Sequence, residues 1–151
     1  MKFLCDQMLG TLAKWLRIYG FDTFFASSQI KDEDLVEIAK NENRTLITRD
    51  KELIYSAKRQ NIKTIELKTT DLDEQIKQVL NGEVIDKSKF LSRCIICNNT
   101  IVTISKEKIK KKVPPRIFEN NDEFWYCKKC DKIYWKGTHY DDMLKKIDNL
   151  I

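Results

Sequence analysis

Short apolar segments alternate with amphipathic segments over the first half of the chain, and this alternation constrains the fold more than any other feature. The strand-like segments are KFLC, DTFFAS, TLIT and KTIEL, which begin at residues 2, 22, 45 and 63. Between them, apolar residues recur every three or four positions, as in Leu12, Trp15 and Leu16, which is typical of a helix with one buried face. Strands that alternate with helices form parallel sheets through right-handed crossovers. The sequence therefore predicts an α/β fold with helices on both faces of a parallel sheet.

The pattern changes between Gly82 and Phe90. From Phe90 onwards the chain contains paired cysteines, the lysine run KEKIKKK, two adjacent prolines and closely spaced aromatic residues. The last segment, YDDMLKKIDNLI, has the apolar spacing of a short amphipathic helix. We therefore expect an α/β domain over residues 1–84, a small module over residues 90–140 and a C-terminal helix over residues 141–151.

Four of the five cysteines form two CxxC pairs, Cys94 with Cys97 and Cys127 with Cys130, and 29 residues lie between the pairs. Two such pairs supply the four thiolates of a tetrahedral structural zinc site. Short β segments around both turns indicate a zinc ribbon, whose core is too small to be stable without metal. A redox pair and an iron centre are the alternatives. Cys5 lies in the first strand, where we expect an ordinary core residue.

The composition excludes several catalytic mechanisms. The four glycines form neither a GxGxxG nor a GxxxxGK[ST] phosphate loop. His139 is the only histidine, so one chain lacks the histidine pair that can hydrolyse RNA by acid–base catalysis. No apolar run approaches the ~20 residues of a membrane span, and Asp6 interrupts the position where a signal peptide would be apolar. We expect a soluble, cytoplasmic protein without membrane contact, and the chemistry left to it is that of carboxylates and metals.

Three aspartates are expected on the carboxyl side of the predicted sheet. Asp6 follows the first strand, Asp50 follows the third, and Asp32 begins the helix after the second. Ligands of open parallel sheets bind outside the carboxyl ends of the strands, so these side chains are expected to converge. Carboxylates that hold Mg²⁺ or Mn²⁺ can activate water and relieve charge on a phosphate without histidine. Each aspartate alone is better explained as a helix cap, so the predicted metal site depends on all three.

The basic residues indicate an anionic partner. Residues 85–151 hold 15 Lys and Arg against 9 Asp and Glu, whereas residues 1–84 hold 13 against 14. Aromatic residues lie among these lysines, and the combination favours phosphate contact and base stacking on RNA, although a solvated lysine-rich surface is the alternative. Candidate contacts to substrate phosphate are Lys14, Arg17, Arg49 and His139, of which Lys14 and Arg17 are expected on the polar side of the first helix.

Several motifs of the chain occur together in one known family. They are FLCDQMLGTLAKWLRIYGFDT, DEDLVEIA, LITRD, the two CxxC pairs, VPPR between them and YWKGTHYDDM after them. With these motifs the chain resembles the Mut-seven C-terminal RNase domain family, which are PIN-like nuclease domains carrying a zinc ribbon. The resemblance implies a PIN-like fold, divalent-metal-dependent ribonuclease activity and an acidic site at Asp6, Asp32 and Asp50. PIN domains usually gather four acids; Asp34 is the candidate for the fourth here, with Glu52 and Asp71 as further candidates.

These observations together predict a metal-dependent ribonuclease that acts as an endonuclease on single-stranded RNA. It would use structural zinc and catalytic Mg²⁺ or Mn²⁺, and its ribbon would aid RNA binding. The first alternative is a non-catalytic adaptor that binds RNA or ribosomal partners through the ribbon. The second is a DNA nuclease, because the same metal chemistry cleaves both backbones and only contacts to the 2′-hydroxyl discriminate. The sequence does not identify a protein partner.

Overall fold

Four parallel strands form the central sheet in a computed structural model that describes residues 1–151. The strands are β1 (Lys2–Cys5), β2 (Asp22–Phe25), β3 (Thr45–Thr48) and β4 (Thr64–Glu66). Their order across the sheet is β2-β1-β3-β4, and every neighbouring pair is parallel. The chain moves outward from β1 to β2 and then returns to the other side of β1, so β1 and β3 flank the point where the strand order switches. The predicted α/β fold with a parallel sheet is confirmed.

Helices cover both faces of this sheet. They are α1 (Gly10–Ile18), α2 (Asp32–Asn41), α3 (Lys51–Arg59) and α4 (Leu72–Leu80). Successive side chains of a strand point to opposite faces. In β1, Phe3 and Cys5 accordingly pack in the core with α1 and α4, while Leu4 packs in the core with α2 and α3. In β3, Ile47 packs in the core with α1 and α4, and Leu46 packs in the core with α2 and α3.

The second half of the chain is a three-stranded antiparallel sheet with two cysteine turns. Its strands are β5 (Val102–Ile104), β6 (Phe124–Cys127) and β7 (Lys132–Trp135), in the order β5-β6-β7. The first cysteine pair precedes β5, and the second lies in the turn from β6 to β7. A short helix, α5 (Pro115–Asn120), follows the lysine run, and Ile109 and Phe124 are buried beneath it in a small core.

The last helix, α6 (Thr138–Leu150), begins before the predicted start at residue 141 and packs back onto the α/β half. Its Met143 and Ile147 belong to the same core as the residues of α1 and α4. Lys146 of α6 also pairs with Asp73 of α4, with 2.5 Å between nitrogen and oxygen. None of the helices combines the length and the hydrophobicity that crossing a bilayer requires.

Arg17 joins the two halves of the molecule. The sequence places it on the polar side of α1, and that prediction is wrong, because the residue is only 8% exposed. Its Nε donates a hydrogen bond to the carbonyl of Thr23 at 2.9 Å. Its Nη1 donates to the carbonyls of Ile95 and Ile96, inside the first cysteine turn, at 2.9 and 3.1 Å. The guanidinium therefore fixes the cysteine turn to α1 and β2 and does not face solvent.

A second contact between the halves centres on Asp22. Asn98 donates from Nδ2 to an oxygen of Asp22 at 2.7 Å, and Arg44 donates to the same oxygen at 2.8 Å. Burial alone would raise the pKa of Asp22, but these two hydrogen bonds and the positive charges of Arg44 and Arg93 hold the pKa below its usual value. The carboxylate is therefore kept ionised where the ribbon meets β2.

Candidate active site and zinc centre

Asp6, Asp32 and Asp50 line one cleft at the carboxyl edge of the sheet, with a volume of about 370 Å³. Ser27 and Ser28, which follow β2, form part of the same wall. The cleft lies at the carboxyl ends of β1 and β3, which is the switch point of the sheet. The structure thus brings together aspartates from three separate segments of the chain.

Thr48, the last residue of β3, links two of these aspartates. Its hydroxyl donates a hydrogen bond to Oδ2 of Asp6 and accepts one from the backbone N–H of Asp50 at 3.0 Å. Asp6 also accepts at Oδ1 from the backbone N–H of Met8 at 3.0 Å, and it is only 7% exposed. Sequence reasoning missed Thr48, although a polar residue at the end of the buried strand TLIT was a signal for it.

Asp50 and Asp32 begin their helices differently. Asp50 is the N-cap of α3, and its Oδ1 accepts from the backbone N–H groups of Glu52 and Leu53 at 2.9 and 3.4 Å. The expectation that Asp32 caps α2 is wrong, because Lys31 occupies the N-cap position and no side chain caps that helix. Asp32 is exposed in the cleft, and capping therefore does not explain it.

The other candidate acids lie outside this cleft. Asp34 and Glu52 are exposed in the first turns of α2 and α3 and do not line it. Asp71 caps α4 by accepting from the backbone N–H of Glu74 at 3.3 Å. The cleft therefore presents three carboxylates.

The candidate phosphate contacts are divided between two clefts. Arg49 is exposed and lines the aspartate cleft. Lys14 and His139 line a separate cleft of about 550 Å³ between α1, β7 and α6. Arg17 is held between the two halves of the molecule, as described above.

The donor chemistry of the aspartate cleft fits a hard divalent cation. Carboxylate and hydroxyl oxygens are the ligands of Mg²⁺ and Mn²⁺. The three carboxylates are not as closely grouped as the four cysteine sulfurs, which form the one set of potential ligands whose atoms all lie within 4.8 Å of one another. Mg²⁺ usually keeps several waters and takes only one or two carboxylates directly, so the three carboxylates need not all contact one ion.

The four cysteine sulfurs are positioned to bind zinc. A tetrahedral ion at about 2.3 Å from each sulfur sets neighbouring sulfurs about 3.8 Å apart. The sulfurs of Cys97 and Cys127 lie 3.5 Å apart, and all four are within 4.8 Å of one another. Because the set contains four thiolates, a bound zinc has no open position for substrate. The predicted structural metal site thus has the required ligands at the required spacing.

Tyr134 supports this site from β7. Its hydroxyl lies 3.0 Å from the sulfur of Cys94. Burial alone would raise the pKa of the Cys94 thiol, but hydrogen bonds from Tyr134 and from backbone N–H groups lower it to about 6. The thiolate of Cys94 is therefore favoured, whereas burial and hydrogen bonds to the neighbouring cysteines raise the pKa values of the Cys127 and Cys130 thiols. Cys5 is different, because burial raises the pKa of its thiol and it is fully buried in the core, as predicted.

Comparison with known proteins gives one family. The model of the Mut7-C RNAse domain family matches residues 1–147, a range that includes the aspartate cleft, both cysteine turns and most of α6. No curated protein and no solved structure matches the chain significantly.

Proposed function

The chain belongs to the Mut7-C RNase domain family, and from this premise we propose that it is a divalent-metal-dependent endoribonuclease acting on single-stranded RNA. The observation that carries the proposal is the single cleft lined by Asp6, Asp32 and Asp50. The family supports nuclease activity, and the cleft supplies the oxygen ligands that a histidine-poor nuclease requires.

The three aspartates have different parts in this proposal. Asp6 is buried and held by Thr48 and the backbone of Met8, so it provides a fixed metal ligand. Asp50 has Oδ2 free of hydrogen bonds, and Asp32 is exposed, so both can orient a ligand or a water. Mg²⁺ or Mn²⁺ bound here would lower the pKa of a water and relieve charge on the scissile phosphate. Arg49, at the rim, would hold an adjacent phosphate.

Preference for RNA is supported by the family and by the hydroxyls of Ser27 and Ser28 in the cleft wall. Hydroxyl groups can both donate to and accept from a 2′-hydroxyl, the group that distinguishes RNA from DNA. These serines are the proposed determinants of that choice.

The ribbon is proposed to bind the RNA outside the cleft. Lysines lie over aromatic rings there, with Lys106 4.7 Å from the ring centre of Phe118 and Lys136 5.4 Å from that of Trp125. The ammonium groups can hold phosphates, and the ring faces that they leave uncovered can stack bases. This use agrees with the excess of basic residues in the second half of the chain.

The test is cleavage of a labelled single-stranded RNA by zinc-loaded protein, with Mn²⁺ present or omitted. We expect cleavage that requires Mn²⁺ and falls at least about 100-fold in Asp50→Asn, since the variant loses a carboxylate of the proposed site. Asp71→Asn is the matched control, because Asp71 also caps a helix but lies outside the cleft.

Each alternative has a distinct result in the same assay. Cleavage that survives both Asp50→Asn and Asp6→Asn shows that the assignment of the cleft is wrong. RNA binding without any cleavage identifies a non-catalytic adaptor. Equal cleavage of an all-deoxy strand of the same sequence identifies a nuclease that does not select RNA.

A further inference from the structure

The cleft between α1, β7 and α6, called the interface cleft below, lies where the two halves of the molecule meet. It has a volume of about 550 Å³ and shares no lining residue with the aspartate cleft. We propose that the interface cleft binds an unpaired base of a single-stranded RNA together with its adjoining phosphates. This inference rests on the proposed function and assigns the substrate a second point of attachment.

The lining of the interface cleft suits a flat aromatic group. Trp15 of α1, Trp135 of β7 and Tyr140 of α6 contribute rings from three different elements. Aliphatic side chains such as Ile18 and Ile133 also line the cleft, and Lys146 and Lys136 lie 5.0 and 4.9 Å from the ring centres of Trp15 and Tyr140. Unpaired bases in RNA are held by aromatic side chains in this way, and the contact tolerates any base because each has a π-face.

The charges around the interface cleft suit an anion. Lys14, Lys132 and His139 line it, against the single acid Asp142. Neither Lys14 nor Lys132 forms an ion pair within the protein. A ligand that combines planar rings with negative charge matches both properties, and a nucleotide strand is such a ligand.

The first helix connects the interface cleft to the aspartate cleft. α1 begins at Gly10, just after the turn that carries Asp6, and reaches Lys14 and Trp15 after a little more than one turn. At 1.5 Å per residue, Trp15 lies about 8 Å along the helix from Gly10. A strand that runs along α1 could therefore occupy both clefts, with Lys14 beside its backbone.

The ring of Trp135 is held in a defined place by the turn that follows β7. A Cβ atom on Gly137 would lie 3.1 Å from the indole nitrogen of Trp135, so the ring packs directly against this glycine. The interface cleft is thus a built part of the fold whose walls come from both halves of the chain. It exists only when the ribbon is docked on α1 and α6.

The experiment compares the affinity of one protein for two short strands. The protein is the full chain with Asp50→Asn, so that RNA is not cut, and the strands are an octauridylate and an abasic octamer with the same sugar-phosphate backbone. We expect the octauridylate to bind about tenfold more tightly by fluorescence anisotropy, since stacking on aromatic residues is worth about that factor. In Tyr140→Leu, which keeps an apolar side chain but removes the π-face, the preference should be largely lost.

Two further variants separate stacking from general damage to the protein. Tyr140→Phe retains the ring and should retain the preference. Tyr55→Leu is the matched control. Tyr55 is an exposed tyrosine on α3 with Arg59 5.7 Å from its ring centre, as Tyr140 has Lys136, and it lines none of these clefts. Lys14→Glu should weaken binding of both strands, since it acts on the backbone.

If Tyr140→Leu keeps its zinc and its melting temperature and also keeps the full preference for the octauridylate, the proposal is overturned. If Tyr140→Leu does not fold, an unchanged affinity of Lys14→Glu for the two strands overturns it instead. If the protein does not cleave RNA but its preference for the octauridylate still depends on the Tyr140 ring, the proposed nuclease activity is wrong and the proposed base site is supported.

Discussion

Thr48 is the residue on which the geometry of the aspartate cleft depends most directly. Its hydroxyl contacts Asp6 and the backbone of Asp50, which come from the ends of two neighbouring strands. The side chain is fully buried, so no water replaces these bonds when the hydroxyl is removed. A single hydroxyl thereby joins the carboxylate of Asp6 to the backbone of Asp50 across the switch point of the sheet.

Thr48→Val is expected to lower metal-dependent cleavage about tenfold to 100-fold, the usual effect of removing a group that orients a metal ligand. Valine has the same shape but leaves an oxygen of buried Asp6 without its donor, which costs about 1–3 kcal/mol of unfolding free energy. Cleavage rates and denaturant melts measure the two effects. Thr48→Ser, which keeps the hydroxyl, is the control, and equal rates in both variants would contradict this role.

At the scale of the elements, the docking of the first cysteine turn on α1 and β2 joins the metal module to the sheet. Arg17 supplies three hydrogen bonds to backbone carbonyls, and two of them lie between the ligands Cys94 and Cys97. A buried guanidinium with these partners positions the turn more rigidly than apolar packing alone.

Arg17→Met is expected to lower the free energy of unfolding by about 2–4 kcal/mol, because it leaves the buried carbonyl of Thr23 and the part-buried carbonyls of Ile95 and Ile96 without their donor. Lys14→Met on the same helix is the matched control, since Lys14 is exposed and makes no ion pair. Denaturant melts of the zinc-loaded proteins measure the difference. Loss of zinc at a lower chelator concentration in Arg17→Met would show that the contact also supports the metal site. Equal stability of the two variants would contradict the role of Arg17 in joining the two halves.

The elements were predictable where local pattern decides them. KFLC and TLIT became β1 and β3 because their apolar residues fill both faces of a covered sheet, and the position of Asp6 and Asp50 followed from those strand ends. Arg17 was not predictable in the same way. Its partners lie 78 and 79 residues away, and a helical pattern carries no information about what docks on it later in the chain.

The start of α2 was also not predictable from the local sequence. Asp32 is a favourable N-cap residue, yet the helix begins one position earlier, with Lys31 in an extended conformation and no capping side chain. Candidate N-cap residues differ by only a few tenths to about 2 kcal/mol in how much they stabilise a helix. The tertiary position of the preceding loop therefore decides where the helix begins. The aspartate consequently remains in the cleft.

At the scale of the whole molecule, the uneven charge determines how binding should respond to salt. The second half of the chain carries the excess of lysine and arginine, and the proposed RNA surface lies there and along α1. Phosphate contacts release counterions from the nucleic acid when they form. Binding strength is then set largely by ionic strength, whereas base contacts are much less sensitive to it.

If the protein makes four phosphate contacts, raising the salt concentration from 50 to 200 mM should weaken its binding of single-stranded RNA about 50-fold. The measurement is the affinity of the Asp50→Asn protein at several salt concentrations. Lys111→Ala and Lys112→Ala together should reduce the slope, whereas Lys58→Ala and Lys63→Ala, on the α/β half, form the control pair. A slope near zero would show that phosphates contribute little and would favour the solvated-surface interpretation of the lysines.

The return of α6 to the first half of the molecule has a consequence for synthesis. The segments that carry Asp6, Asp32 and Asp50 leave the ribosome first, but Met143 and Ile147, which complete the core beneath α1 and α4, leave after both cysteine turns. The growing chain therefore cannot close this core until the ribbon has been translated. The order of these elements along the polypeptide thereby delays closure of the core that packs α1 and α4 until α6 has been translated.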